Sequence, residues 1–223
     1  MNAPQQPQVF SISNEQEFAE TALQAFRFQA ANNTIYRQFI EGLHINASAV
    51  KNVDHIPFLP ISFFKSHRVI SSVEPVELIF TSSGTTGMIT SSHHVTDVSW
   101  YRESFRRAFQ LFYGDITGYC VLALLPAYLE REGSSLIYMA QDMITESKNP
   151  DSGFYLYNHA DLYEQLKRQQ QNKKPTLLIG VTFALLDFVE QYQLNFPELI
   201  VMETGGMKGR RKEMIREELH EIL

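Results

Sequence analysis

Residues 81–87 read Thr-Ser-Ser-Gly-Thr-Thr-Gly and follow the apolar run Leu78-Ile79-Phe80. Glycines without a Cβ let successive backbone N–H groups converge on an anion, and the hydroxyls of Thr81, Ser82, Ser83, Thr85 and Thr86 add further donors. The chemistry that this combination serves is the holding of phosphate. It is not a Walker A loop, which needs four residues between its glycines and Lys-Ser or Lys-Thr after the second; here two residues separate Gly84 from Gly87, and Met88 follows. By composition alone such a cluster is also an ordinary surface loop, so the reading rests on the whole pattern.

Thr204-Gly205-Gly206, at the end of the apolar run Leu199-Ile200-Val201-Met202, is a second place where backbone could approach a flat ligand closely. The same residues equally serve a strand-to-helix turn, and both readings stand. Tyr128, Glu130 and Arg131 lie just beyond the run Tyr119–Leu125 and its closing Pro126, where substrate contacts gather in α/β proteins. His93 and His94 follow the first loop closely enough to approach a substrate, but they have no acid or cysteine at ligand spacing, so no metal site is expected. Lys208, Arg210, Arg211 and Lys212 read as a solvated helix start. Cys120, inside an apolar run, reads as a small core residue, and the Phe105/Phe109/Phe112 stripe reads as core. No residue is assigned as a catalytic acid, base or nucleophile.

These residues must be positioned by the elements around them. Residues 1–8, rich in Gln and Pro, are expected to be a flexible lead-in. Phe18, Ala22, Ala25, Phe26 and Gln29 recur at helical spacing behind a Ser13 or Asn14 cap, predicting a helix over residues 14–31, and Tyr36, Phe39 and Ile40 predict a shorter one. The first loop is expected to sit between two extended segments, Glu77–Phe80 and Ile89–Val95. Val98, Tyr101, Phe105, Ala108, Phe109 and Phe112 mark an amphipathic helix ending near Gly114. Tyr119–Leu125, Thr176–Gly180 and Leu199–Met202 read as strands. Helices alternate with them: one to about Met143, one around Leu162–Leu166 that dissolves into the polar tract 168–174, one over 183–192, and a closing helix carrying Ile215, Leu219 and Ile222. Such alternation predicts an α/β fold, a mainly parallel sheet flanked by helices, with ligands at the carboxyl ends of the strands.

The totals restrict the function classes. At 223 residues and 44% hydrophobic content the chain is long enough for a sizeable core. A net charge of −6 gives no footprint for nucleic acid. A single cysteine fits a reducing compartment and points to the cytoplasm, while the N-terminal residues lack a signal-peptide pattern and no run approaches the ~20 apolar residues of a membrane span.

The loop Thr81–Gly87 resembles the triphosphate loop of adenylate-forming enzymes, which activate carboxylic acids with ATP. The lead-in Ile56-Pro57-Phe58-Leu59-Pro60-Ile61-Ser62-Phe63-Phe64-Lys65 and the stretch Leu125-Pro126-Ala127-Tyr128-Leu129-Glu130-Arg131-Glu132-Gly133-Ser134-Ser135 resemble LuxE-type acyl-protein synthetases, relatives of phenylacetate–coenzyme A ligases. The resemblance runs from about residue 50 onward. It implies that ATP and Mg²⁺ are bound with Thr81, Ser82, Ser83, Gly84, Thr85, Thr86 and Gly87 at the phosphates and Thr204, Gly205 and Gly206 at the adenine. An acyl-adenylate would form from a carboxylic, fatty-type acid and pass to a thiol of an acceptor protein or coenzyme A. The chain departs from the family in having Met88-Ile89-Thr90 where a lysine usually follows the loop. The family's acidic Mg²⁺ ligand, ribose-binding Asp, hinge, C-terminal lid domain and acylated cysteine do not follow the Gly-Gly turn within these residues. The expected organisation is therefore a partial adenylate-forming N-terminal domain over 1–223, with a helical lead-in at 1–50 and a nucleotide- and acyl-binding region at 51–223. An apolar face left where a lid would pack predicts self-association as a homo-oligomer. The alternatives are a non-catalytic relative acting as a ligand-binding or interaction module, and a coenzyme A ligase whose lid comes from another chain.

Overall fold

The computed structural model describes residues 2–82, 90–126, 133–205, 207, 211 and 214–223. The chain forms two compact units, Met1–Ser104 and Phe105–Leu223. Among the described residues no helix is long and apolar enough to cross a membrane.

The N-terminal unit begins with a short helix, α1 (Gln6–Val9), where a flexible lead-in was expected. Pro7 stands in its first turn, where a missing N–H costs nothing, and the Gln6 and Gln8 side chains donate to Ser99 Oγ and Gln24 Oε1 (2.5 and 2.9 Å). In α2 (Glu15–Asn32) the cap is reciprocal. Asn14 Oδ1 accepts from the Glu17 N–H at 2.9 Å, and the Glu17 carboxylate accepts from the Ser13 N–H at 2.9 Å, which holds Glu17 below the usual carboxylate range. Asn33 then does two jobs: its N–H closes α2 on the Gln29 carbonyl, and its Oδ1 caps α3 (Thr34–Gly42) by accepting from the Tyr36 N–H. Phe26, Ala30, Tyr36, Ile40 and Val50 pack between these helices as a small core. After the short helix α4 (Phe63–Ser66), β1 (Leu78–Thr81) and β2 (Ser92–Val95) form an antiparallel pair in the register Leu78↔Val95 to Thr81↔Ser92. The helix α5 (Ser99–Tyr113) starts in this unit.

The C-terminal unit is the parallel α/β layer that the alternating pattern predicts. Its strands β3 (Cys120–Leu124), β4 (Gly153–Tyr155), β5 (Thr176–Val181) and β6 (Leu199–Thr204) lie in the order β4-β3-β5-β6, every pair parallel. Helices α6 (Ser135–Ser147), α7 (His159–Gln171) and α8 (Thr182–Val189) alternate with the strands, and α9 (Arg216–Ile222) closes the chain. Every residue of β3 has 0% exposure, which is why it reads as an unbroken apolar run. At Gly180 a Cβ would lie 2.5 Å from Leu185 Cδ2, so only glycine lets α8 pack on β5 at this distance.

Three features differ from the sequence reading. Helix α6 runs past Met143 to Ser147, because Glu146 pairs with Arg106 (2.8 Å) and Lys148 supplies a left-handed stop (φ 52°). Strand β4 is too short to show a period, and it exists through its pairing with β3. The polar tract after Leu166 is not simply solvated: Gln169 is buried, and its Nε2 donates to Asp151 Oδ2 at 2.9 Å.

Candidate functional site

The N-terminal unit presents the stem of the hydroxyl- and glycine-rich loop. The β1–β2 ladder is extended beyond Thr81↔Ser92 by the Ser82 N–H donating to the Ser91 carbonyl and the Ser91 N–H donating to Ser82 Oγ, both at 3.0 Å. At the other end the Glu77 carboxylate accepts from the Val98 N–H at 2.8 Å, and Phe80 meets Tyr101 edge to face at 5.0 Å. Thr81 and Ser82 thus stand on a braced hairpin, as the flanking extended segments predicted. Ser83, Gly84, Thr85, Thr86 and Gly87 lie outside the described residues.

Beside this hairpin is a groove of about 850 Å³ that no sequence pattern announced. Its walls come from α2, α3, the segment 53–59, α4, residues 69–72, β2 and Trp100. Several polar groups line it. Gln29, Asn33 and Ser71 satisfy one another: Ser71 Oγ donates to Gln29 Oε1, and Asn33 Nδ2 reaches Gln29 Oε1 at 3.2 Å. His94 does not share in such a network; its buried Nδ1 has no hydrogen-bond partner among the described residues. His93 stacks on Phe64 (5.7 Å, 25° between planes), and desolvation together with the neighbouring His94 charge holds it below the ordinary histidine range. A buried polar atom without a partner is costly in an apolar surround, so the His94 ring is the groove's least satisfied group.

In the C-terminal unit the sheet order creates a switch point. From β3 the chain goes to β4 on one side and to β5 and then β6 on the other, so the crevice between β3 and β5 opens at their carboxyl ends. The segment carrying Tyr128, Glu130 and Arg131 begins at the carboxyl end of β3, although those three residues themselves lie outside the described residues, as does Gly206. Thr204 and Gly205 end β6 at the same edge, and Gly205 has φ 109°, a conformation that suits glycine alone. Here Val181↔Thr204 are paired, and buried Thr182 donates from Oγ1 to the Glu203 carboxylate. The turn is therefore anchored through Glu203 and Thr204 to the end of β5 and the start of α8. Cys120 has 0% exposure, and burial pushes its thiol up to about 11, which makes it inert at neutral pH, in line with its reading as a core residue. Among the described residues no group of three or more His, Cys, Asp or Glu is placed to hold a metal ion.

Residues 5–111 match the family model of the acyl-protein synthetase LuxE. Over this stretch the chain is similar to LuxE-type acyl-protein synthetases. A long-chain-fatty-acid–luciferin-component ligase of Vibrio harveyi is 33% identical over 84 residues, which cover 37% of this chain and 22% of that relative. The LuxE match takes in the hairpin, the loop 81–87 and the groove. It also begins at residue 5, whereas the motifs placed the start of the resemblance near residue 50: the helices α2 and α3 carry only apolar periodicity, which many families share.

Proposed function

We propose that this chain is part of an enzyme that activates a long-chain carboxylic acid with ATP and hands the acyl group to a thiol. The carboxylate oxygen attacks the α-phosphorus of ATP and pyrophosphate leaves. A thiolate then attacks the acyl carbon of the adenylate and AMP leaves. The observation that carries this reading is the LuxE-type match across the loop Thr81–Gly87 and its hairpin.

Charge accumulates on phosphate oxygens in the first step, and backbone N–H groups with the hydroxyls of Ser82, Ser83, Thr85 and Thr86 suit that charge as positioned donors. The donor set fits a nucleotide phosphate: hydroxyls and amides on a braced stem, with no carboxylate at residues 81–87 to repel it. Bound Mg²⁺ supplies charge neutralisation at those oxygens, and it typically reaches such sites on the phosphates with few protein ligands. In the C-terminal unit Thr204, Gly205 and Gly206 are assigned to the adenine, and Tyr128, Glu130 and Arg131 to substrate at the β3 edge. Cys120, buried and protonated, is not assigned as the acceptor thiol. The reaction is assigned to the cytoplasm on the sparing use of cysteine.

The test is pyrophosphate–ATP exchange in the presence of tetradecanoate. Exchange that depends on the acid supports acyl activation. Nucleotide binding without exchange would reduce the chain to a ligand-binding module.

A further inference from the structure

We propose that the groove of the N-terminal unit holds the hydrocarbon chain of the carboxylic acid, with the carboxyl end at His94. This rests on the acyl-activating reading above and gives the chain a place to lie. The cavity of about 850 Å³ is within the ~300–1,000 Å³ usual for small-molecule sites. Phe18 and Ala25 on α2, Tyr36 on α3, Phe58, Phe64 and Trp100 supply apolar wall from separate segments of the chain. A flat apolar patch fits a protein surface; a concavity walled from so many elements fits a narrow, flexible chain.

The polar groups fix which end goes where. Gln29, Asn33 and Ser71 are already bonded to one another. His94 lines the same cavity; its Nδ1 is buried and, among the described residues, has no partner, so a rotation of the ring brings an unpaired N–H to a carboxylate in the groove. Asp97 also lines the groove, but its Oδ1 accepts from the Ser99 N–H at 2.9 Å at the start of α5. His94 lies two residues from Ser92 on β2, ~7 Å along the strand, and Ser92 pairs with Thr81 at the stem of the loop assigned to phosphate. A carboxyl group at His94 is thus at the hairpin that leads to that loop, and the tail extends away among the aromatic side chains.

Trp100, the chain's single tryptophan, lines the groove and reports its occupancy. The experiment titrates the whole chain with 12-bromododecanoate, below its micellar concentration, and follows quenching of Trp100 emission. Saturable quenching that tetradecanoate reverses and butanoate does not is the expected result. Ala25→Phe, which fills the groove, should weaken binding by about tenfold or more, and Phe58→Ser, at a wall residue already 79% exposed and therefore harmless to folding, should weaken it by about tenfold. His94→Leu should abolish the preference for tetradecanoate over tetradecanol, a change of about tenfold. Quenching that does not saturate, equal binding by all three variants, or a groove found closed by a second copy of the chain in sedimentation would overturn the proposal. Acid-dependent pyrophosphate exchange without quenching would overturn the groove alone and leave the proposed reaction standing. Quenching without exchange would do the reverse.

Discussion

The two units put their apolar side chains to different uses. In the C-terminal unit all five residues of β3 have 0% exposure, and Leu162, Leu166, Leu177 and Ile179 join them in one close-packed core. In the N-terminal unit the core is a handful of residues between α2 and α3, and many other aromatic and aliphatic side chains line a cavity of about 850 Å³ or face solvent, Phe18 at 54% and Phe58 at 79%. Close packing stabilises a fold; lining a cavity forgoes part of that stabilisation and leaves room for a ligand. Substitutions in the packed core should therefore damage folding, and substitutions in the cavity wall should damage binding.

The largest contrast is expected between Leu122→Ala and Phe58→Ala. Leu122 is fully buried in the central strand pair, and its truncation should cost about 3–5 kcal/mol by urea denaturation. Phe58→Ala should change stability by less than about 0.5 kcal/mol while weakening acyl binding; equal destabilisation by both would erase the contrast. Next, Gly180→Ala should destabilise by about 1–3 kcal/mol, because the new Cβ meets Leu185, which is itself 1% exposed and cannot swing away. A thermal melt unchanged from wild type would mean that α8 is looser on β5 than the contact implies. In the N-terminal unit, Asn33→Ala should cost about 1–2 kcal/mol, since it removes the α3 cap.

The smallest effect separates the units by pH. Burial raises Cys120 from about 9.0 to about 11 and Tyr36 from about 10.0 to about 12. In both cases the folded state keeps a proton that the unfolded state releases, so each contribution is present below the unfolded value and is lost as pH rises through the folded one. Stability of the C-terminal unit should therefore begin to fall above pH 9, and that of the N-terminal unit above pH 10. Chemical denaturation at stepped pH, read by hydrogen exchange of the β3 and β5 amides for the C-terminal unit and by Trp100 emission for the N-terminal unit, resolves the two. Cys120→Ala should remove the first slope and leave the second.

Much of the C-terminal unit was legible in the sequence because parallel strands buried on both faces leave continuous apolar runs, as at Cys120–Leu124 and Thr176–Val181. The helices α2 and α5 were legible from period alone. Strand β4 was not, since three residues held by pairing with β3 carry no period. The loop 81–87 was legible as chemistry through its hydroxyls and glycines. The groove was illegible because it is assembled from residues of separate segments: Trp100 and His94 enter it through tertiary packing, and one-dimensional spacing does not record that. The signal nearest to it was the pair His93-His94 directly after the loop.

The most direct measurement of the central claim is calorimetric titration of the chain with Mg-ATP, repeated on a Gly84→Val, Gly87→Val variant whose fold has been checked by circular dichroism. The expected result is binding to the wild type that disappears in the variant, because two Cβ branches would block the approach of backbone amides to phosphate. Equal binding by the variant, or no binding by the wild type, would contradict the assignment of residues 81–87 to ATP.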